Sequence, residues 1–198
     1  MISSTNEASS EAGNADRSDD SRGSILFEGT LRDGSPIIIR RAGSRDREKL
    51  IRFYEKLSTE CIYNRFMGII RYFDPYVDSL LKGNAIVVVA ETPGGEIVGV
   101  AEAVFDEEGK AESGIAVLDS YQGKGIGSLL GKYILSEARK AGIKRMYAYI
   151  LPTNIRALNM ALKYGARIEK KYTGMTYVVF DLDAGDNSYE RGKGQGLR

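Results

Sequence analysis

The chain has 198 residues, of which 42% are hydrophobic, so it is long and apolar enough for one domain with a buried core. Its 28 basic and 27 acidic residues almost cancel, which gives no electrostatic reason to expect direct nucleic-acid binding or attachment to a membrane surface. Histidine is absent. Its absence removes the commonest general base, the usual nucleophile triads and most zinc sites, and no metal is expected.

Cysteine usage and hydropathy indicate the compartment. The single cysteine, Cys61, excludes an internal disulfide and suits a reducing environment. No apolar run approaches the roughly 20 residues of a membrane span, and the N-terminus lacks the basic and apolar regions of a signal peptide. We therefore expect a cytoplasmic protein with no membrane partner.

The two ends of the chain differ in composition from the middle. Residues 1–23 and 184–198 are polar and offer almost nothing to bury, so ordering them would cost conformational entropy without compensation. We expect a disordered N-terminal tail, one folded domain over residues 24–183 and a flexible C-terminal tail.

The first half of this domain predicts two strands and then helices. Residues 24–42 form the pattern of a hairpin around an Asp-Gly turn at positions 33–34. A helix follows, with Ser44 as its N-cap and apolar side chains at helical spacing. A less regular helical region spans residues 59–81 and is expected to break near Pro75.

The second half predicts a sheet with helices beside it. Short turns at residues 93–95 and 106–110 separate three strands, which we expect to form an antiparallel meander. The next helix carries one apolar stripe and ends at Gly142, and another runs from about Thr153 to Gly165. With a buried strand between these helices and two strands at the end, the sequence predicts an α+β fold with a mixed sheet.

Three glycines in five positions, Gly123, Gly125 and Gly127, precede the first of these two helices. A glycine-rich loop before a helix presents unobstructed N–H groups at the positive end of the helix dipole, where a phosphate binds, and Lys124 would add charge. The alternative is that the glycines bind no ligand and are needed only because the turn requires residues with positive φ. The Walker pattern is absent, and Leu130 stands where a dinucleotide fingerprint needs its last glycine, so both of these nucleotide sites are disfavoured.

The stretch QGKGIG, residues 122–127, matches the pattern Q/R-x-x-G-x-G/A, and here the chain resembles the GCN5-related N-acetyltransferase (GNAT) superfamily, over about residues 24–183. The resemblance implies a GNAT fold: a mixed, mostly antiparallel sheet of about seven strands flanked by helices, with the fourth and fifth strands splayed apart. It also implies acetyl-CoA as cosubstrate, with its pyrophosphate held by the motif. Asn154 matches the Asn that opens the helix after the fifth strand in the family.

The resemblance also supplies a set of expected cofactor contacts. In the family, main-chain groups of the splayed fourth strand contact the pantetheine arm, and an N–H group there stabilises the developing oxyanion, a role that falls to Val117 here. Asn154 would contact the cofactor near the thiol. The cofactor-binding residues carried over in this way are Ile115, Ala116, Val117, Gly123, Lys124, Gly125, Ile126, Gly127, Ser128 and Asn154.

Within the superfamily, residues 31–68 look like the opening of the Pat-type protein-lysine acetyltransferases. That subgroup places a glutamate, its general base, ten residues before the Gln of the motif. Glu112 stands ten residues before Gln122. The resemblance therefore assigns the general base to Glu112.

The residues around Glu112 support this assignment independently. On an alternating strand Glu112 shares a face with Gly114 and Ala116, and two small neighbours leave an open groove beside the carboxylate. Without the motif, a single glutamate on a strand is more often solvated or salt-bridged. A carboxylate with an ordinary pKa of about 4 is a weak base, so we expect burial or a second carboxylate to assist it. Glu102 is the candidate for that second group, unless it is only a surface charge.

Three residues depart from the family pattern or invite other chemistry. Many members of the family carry a Tyr seven residues beyond the Asn that Asn154 matches, and this Tyr is the general acid for the CoA thiolate. This chain has Ala161 at that position. Tyr164 lies three residues later and is expected to pack. The Pat-type proteins commonly share this absence, and a thiolate can take its proton from water. Cys61 is expected to be buried rather than nucleophilic, because no histidine is present to activate it.

The sequence therefore predicts an N-acetyltransferase that moves an acetyl group from acetyl-CoA to a protein lysine by direct attack, with Glu112 as general base. By resemblance, acyl-CoA synthetases or a chromatin protein are the expected acceptor proteins. Residues 71–76 would lie near the acceptor groove, where they either contact the protein substrate or pack. Two alternatives stay open: a small-molecule amine acetyltransferase of the same fold, and a non-catalytic acyl-CoA sensor.

Overall fold

Residues 23–183 are described by a computed structural model, and both predicted tails lie outside this range except for Gly23. The described part contains one eight-stranded sheet with the strand order β1-β2-β3-β4-β5-β6-β8-β7. The strands are β1 (Ile25–Thr30), β2 (Pro36–Arg41), β3 (Ala85–Glu91), β4 (Ile97–Phe105), β5 (Ala111–Val117), β6 (Arg145–Ile150), β7 (Arg167–Tyr172) and β8 (Met175–Asp181). The α-helices are α1 (Arg47–Glu55), α2 (Thr59–Phe66), α3 (Asp74–Leu81), α4 (Ile126–Lys140) and α5 (Ile155–Lys163).

Every neighbouring pair of strands is antiparallel except β5 and β6, which are parallel. The predicted α+β fold with a mixed, mostly antiparallel sheet is confirmed. The resemblance implies about seven strands, whereas the sheet has eight, the number of strands that the sequence predicts segment by segment. The predicted meander is present as β3, β4 and β5.

The turns that order these strands follow from the sequence. Gly34 has φ 82° and lies in the hairpin turn between β1 and β2, as the Asp-Gly pair predicts. The turn from β4 to β5 is closed by Asp106, whose N–H donates to the Lys110 carbonyl at 2.9 Å. This tight turn sets the register that places Glu102 opposite Gly114.

The helices cover both faces of the sheet. Glu102 of β4 contacts side chains of α1, α2 and α3, whereas a Cβ at Gly99 on the same strand would touch Ile126 and Leu130 of α4. Because strand residues three apart point to opposite faces, α1–α3 lie on one side and α4 on the other. Within the described residues, no helix is both long and apolar enough to cross a membrane.

One local prediction in the helical region was wrong. Ser44 is not an N-cap: residues Ser44–Asp46 form a 3-10 turn before α1, and the Asp46 carboxylate accepts the Gly43 N–H at 2.8 Å. A buried ion pair with Arg40, 2.7 Å long, holds that carboxylate in place. The predicted break near Pro75 is present between α2 and α3, and Pro75 itself is in the first turn of α3, where its missing N–H costs nothing.

Leu130→Ala tests how far α4 anchors the sheet. Leu130 is fully buried against β4, so the substitution is expected to lower the free energy of unfolding by about 2–5 kcal/mol. Leu162→Ala on α5 is the matched control, since Leu162 is 41% exposed and should lose much less. Urea denaturation of both variants measures the difference, and equal losses would contradict the packing described.

Candidate functional site

The sheet opens between β5 and β6. These strands pair only at Ala111 with Met146 and at Glu112 with Tyr147, and beyond these two pairs they separate. The splay predicted for the family's fourth and fifth strands is therefore present, between the strands numbered β5 and β6 here. Because β5 continues for five residues past its last partner, its main-chain groups on the gap side have no strand partner there, although the Val117 carbonyl accepts from the Gln122 side chain at 3.2 Å.

The register of β5 shows which main-chain groups face the gap. The Leu118 N–H donates to the Val98 carbonyl on β4 at 3.0 Å. Since main-chain groups alternate sides along an antiparallel strand, those of Val117 and Ile115 point to the gap and those of Ala116 point to β4. Of the three residues expected to contact pantetheine, the geometry thus favours Ile115 and Val117 for main-chain contacts.

At the open end of the gap lies the glycine loop, residues 122–127. Gly123 has φ 79° and Gly125 has φ 99°, so both glycines are needed for the turn itself. A Cβ at Gly123 would meet no atom within 4 Å, which leaves the loop backbone open to a ligand. Gly127 lies in the first turn of α4, where N–H groups have no partner within the helix. The loop is compatible with both interpretations: its turn needs glycine at positive φ, and its backbone is open to a ligand.

Ionic contacts surround this loop. The Lys124 ammonium pairs with Asp33 at 3.0 Å, so part of the charge expected to help bind phosphate is already compensated. Hydrogen bonds from Ser35 and Lys124 lower the pKa of Asp33, which keeps this pair ionised at neutral pH. Arg156, in the first turn of α5, donates to the Gln122 side chain at 2.8 Å and brings a second cation to the loop.

Other predicted cofactor contacts are placed as follows. The Ile126 side chain is buried in the core, so only its main chain can face a ligand. Ser128 also lies in the first turn of α4, where its carbonyl accepts from Tyr164 at 2.7 Å. Asn154 is the N-cap of α5: its Oδ1 accepts from the Ala157 N–H at 3.1 Å. Asn154 also lines both cavities described next.

Two cavities meet at the splay. A groove of about 510 Å³ runs from the glycine loop along β5 to the start of α5. A larger cavity of about 800 Å³ extends through the gap to the side of the sheet that carries Glu112. The two share the residues Asn64, Arg65, Ile115, Asn154, Ala157 and Met160. A ligand in the groove and another in the cavity would therefore meet at the gap.

Glu112 lies where the gap closes and lines the larger cavity. It is exposed, so the burial considered from the sequence is not what assists it. Glu102 sits on the same face: it pairs with Gly114, two residues from Glu112, which is the expected diagonal position. Glu102 is not a surface charge, because its side chain is 1% exposed.

Glu102 is the centre of a buried polar cluster that joins three helices to β4. Its carboxyl group accepts from the hydroxyl groups of Tyr54 and Tyr76, the latter at 2.7 Å, and from the guanidinium of Arg65. Burial raises the pKa of Glu102, and the charge of Glu112 raises it further. Arg65 lies directly over Gly114, where any Cβ would overlap its guanidinium, so glycine at 114 makes room for this cluster.

Sequence patterns alone missed Arg65 and Arg156. Both are single basic residues on short helices, a pattern typical of solvated surfaces, and only the packing of α2 and α5 against the gap reveals them. Within residues 71–76, Phe73 and Tyr76 both pack on Tyr54, with ring centroids 5.3 and 5.5 Å from it. Tyr76 also lines the larger cavity, and contact with a protein substrate stays a prediction.

Neither Cys61 nor Tyr164 is placed as a reactive group. Cys61 is half-buried rather than fully buried, and it lines the groove beside the glycine loop. Its Sγ contacts the Val117 carbonyl at 3.7 Å, and burial raises the pKa of the thiol, which favours its neutral form. The Tyr164 ring packs on Gly131 of α4, in agreement with a packing role. Within residues 23–183, no three or more aspartate, glutamate or cysteine side chains lie close enough together to bind a metal ion.

Comparison with known proteins identifies relatives. A family described as "Acetyltransferase (GNAT) family" matches residues 50–166. Acetyltransferase PA5475 from Pseudomonas aeruginosa is 31% identical over 128 residues, which cover 60% of this chain and 68% of that protein. Acetyltransferase Pat from Mycolicibacterium smegmatis is 26% identical over 160 residues, 77% of this chain. The match spans about half, 47%, of the length of Pat.

Solved structures agree with these matches. The GNAT domain of S. lividans PAT has a TM-score of 0.70 and 28% identity, with 78% of this chain and 96% of that one covered. The acetyltransferase yncA from Salmonella typhimurium, solved with its cofactor acetyl-CoA, has a TM-score of 0.64 and 20% identity, with 77% of this chain and 97% of that one covered. At this identity the similarity is one of fold. The GNAT fold and the resemblance to Pat-type proteins are confirmed.

Proposed function

This chain belongs to the acetyltransferase (GNAT) family, and from that premise we propose that it transfers an acetyl group from acetyl-CoA to the side-chain amine of a protein lysine, with Glu112 as general base. The observation that carries the proposal is the splay between β5 and β6: it joins the glycine-loop groove to a cavity that Glu112 lines. A donor in the groove and an amine in the cavity can therefore meet at one point.

The groove suits acetyl-CoA along its whole length. The backbone of the glycine loop and the first turn of α4 would hold the pyrophosphate, because both present N–H groups to an anion. Arg156 and Lys124 add cations at this end. The gap-facing main-chain groups of Ile115 and Val117 would pair with the amides of pantetheine, as an added strand would.

Bound acetyl-CoA supplies a thioester carbonyl carbon that a neutral amine can attack. A lysine amine is protonated at neutral pH, so a base must first remove a proton, and Glu112 is placed to accept it, directly or through water. The new N–C bond forms as the C–S bond breaks; the nitrogen gives up its second proton as it becomes an amide, and the leaving thiolate takes up one proton. Ala161 stands where many relatives have a tyrosine acid, so that last proton comes from water or an unassigned donor.

Support for a lysine acceptor comes from the Pat relatives and from the shape of the acceptor side. Both Pat proteins match this chain over most of its length. The cavity on the Glu112 side opens to the surface, with exposed Tyr149 and Tyr172 at its lining, so a side chain of a folded protein can enter. Acceptor candidates are acyl-CoA synthetases and chromatin proteins, and the expected location is the cytoplasm.

The test is a transfer assay with purified protein. The proposal predicts release of free CoA and a mass increase of one acetyl group on a lysine peptide, with far slower transfer to small amines such as aminoglycosides. Transfer to small amines alone would favour the small-molecule acetyltransferase. Binding of acetyl-CoA without transfer to any amine would favour a sensor.

Gly123→Ala tests the glycine loop as the anchor of acetyl-CoA. An Ala at φ 79° is strained, and its Cβ would occupy the open space above the loop, so the Kd for acetyl-CoA should rise about tenfold or more. Gly142→Ala is the matched control: Gly142 has φ 78°, an equally open Cβ position and a place at the far end of α4. Calorimetric titration of both variants should show weaker binding only for Gly123→Ala, and equal affinities would refute the assignment.

A further inference from the structure

Three tyrosines form an aromatic cluster beside Glu112. Tyr147 and Tyr149 of β6 and Tyr177 of β8 contact one another pairwise, with ring centroids 5.2 to 5.9 Å apart. We propose that this tyrosine cluster is the acceptor-binding site, where the ammonium group and alkyl chain of a lysine bind before Glu112 deprotonates the amine. The inference rests on the proposed function and names the part of the site that selects the amine.

The strand register puts the cluster and Glu112 on one face. Tyr147 is the direct parallel neighbour of Glu112, and Tyr149 follows two residues later on the same side of β6. Tyr149 pairs with Tyr177 across the next strand pair. Where β5 and β6 separate, Tyr149 therefore lies across the gap from Gly114, at the point where acceptor and donor would meet.

The cluster is accessible from solvent and opens into the cavity. Tyr149 is 38% exposed and lines the same cavity as Glu112. Tyr172 and Met175, at the turn between β7 and β8, line it as well, so the cluster has an apolar rim that would contact the alkyl chain. An amine that reaches Glu112 through this opening passes the ring of Tyr149.

Charge around the cluster favours a cation. Tyr147 interacts with the carboxylates of Glu112 and Asp106, and Tyr177 interacts with Glu169. Of the neighbouring cations, Lys110 pairs with Glu108 and Arg145 pairs with Asp181 at 3.2 Å, whereas Lys170 lies directly opposite Tyr177 on β7, away from Glu112. Tyrosine ring faces attract a cation, and the Glu112 carboxylate next to Tyr147 adds to the attraction for an alkylammonium group. A neutral acceptor would gain only the apolar contacts.

The experiment measures acceptor and donor binding separately. Steady-state kinetics with acetyl-CoA and a lysine peptide are compared for the wild type, Tyr149→Leu and Tyr149→Phe, with Tyr63→Leu as control. Tyr63 is 53% exposed and lines neither cavity. The same peptide carrying trimethyl-lysine, which keeps its charge and cannot accept an acetyl group, serves as a competitive inhibitor.

If the tyrosine cluster binds the acceptor, Tyr149→Leu should raise the KM for the lysine peptide about tenfold and the inhibition constant of the trimethyl-lysine peptide by the same factor. The KM for acetyl-CoA should not change. Tyr149→Phe keeps the ring face and should stay within about threefold of the wild type, as should Tyr63→Leu. If Tyr149→Leu is active and both the KM for the lysine peptide and the inhibition constant of the trimethyl-lysine peptide are unchanged, the tyrosine cluster is not the acceptor-binding site, and the proposed function is unaffected. If the wild-type protein acetylates no lysine, both the proposed function and this acceptor-binding site are wrong.

Discussion

Glu112→Gln is expected to lower kcat for lysine acetylation by about 10²–10⁴-fold, the range that loss of a general base produces. The substitution keeps the size of the side chain and its place at the closed end of the gap. It removes the negative charge and, with it, the ability to accept a proton from the ammonium group. Affinity for acetyl-CoA should not change, because the glycine loop and the main chain of β5 provide the expected contacts with the cofactor.

Glu107→Gln provides the matched control for this variant. Glu107 is an exposed glutamate in the turn that leads into β5, so the same chemical change there should leave kcat within about twofold. Stopped-flow or steady-state release of CoA measures both variants at saturating acetyl-CoA. A Glu112→Gln enzyme that keeps most of its kcat would show that another group, or bulk water, removes the proton.

Glu102→Ala is expected to lower the free energy of unfolding by about 3–5 kcal/mol. Glu102 is fully buried and joins β4 to Tyr54, Arg65 and Tyr76 on three helices. The substitution leaves the Arg65 guanidinium buried without its carboxylate, and an unpaired buried charge is among the most destabilising changes a protein can undergo. Urea denaturation followed by circular dichroism measures the loss.

Glu102→Gln separates the shape of this side chain from its charge. Burial raises the pKa of Glu102, so its negative charge is less favourable here than at the surface, and the amide keeps the volume and one acceptor oxygen. We therefore expect Glu102→Gln to be clearly less destabilising than Glu102→Ala. If the two variants were equally destabilised, the carboxylate charge rather than the filled space would hold the cluster together.

Much of the fold follows from local sequence patterns. The Asp-Gly turn, the short turns of the meander and the apolar stripe of α4 are local signals, and each appears in the structure where it was expected. The helices within residues 59–81 were harder to predict, because α2 and α3 are short and residues 67–73 between them interrupt the periodic pattern. The predicted N-cap at Ser44 was wrong because Asp46, held by its tertiary pairing with Arg40, takes that position before α1.

The site divides in the same way between local and tertiary signals. The glycine loop, Asn154 and the spacing from Glu112 to Gln122 are motifs within single segments, so sequence reveals them, and their roles in binding and catalysis stay predictions. The buried state of Glu102 depends on three helices that pack over it, and no pattern on β4 distinguishes it from a surface glutamate. The tyrosine cluster likewise arises from strand pairing between β6 and β8, which are remote in sequence.

Mass spectrometry of lysine acetylation tests the central claim most directly. The wild-type protein and its Glu112→Gln variant are each incubated with acetyl-CoA and a deacetylated lysate of the organism that produces the protein. Transfer to a protein lysine with Glu112 as base predicts a small set of acetylated sites with the wild type that the variant fails to produce, and those sites name the acceptor. Acetylation no higher than in a lysate without the enzyme, while acetyl-CoA still binds, would contradict it.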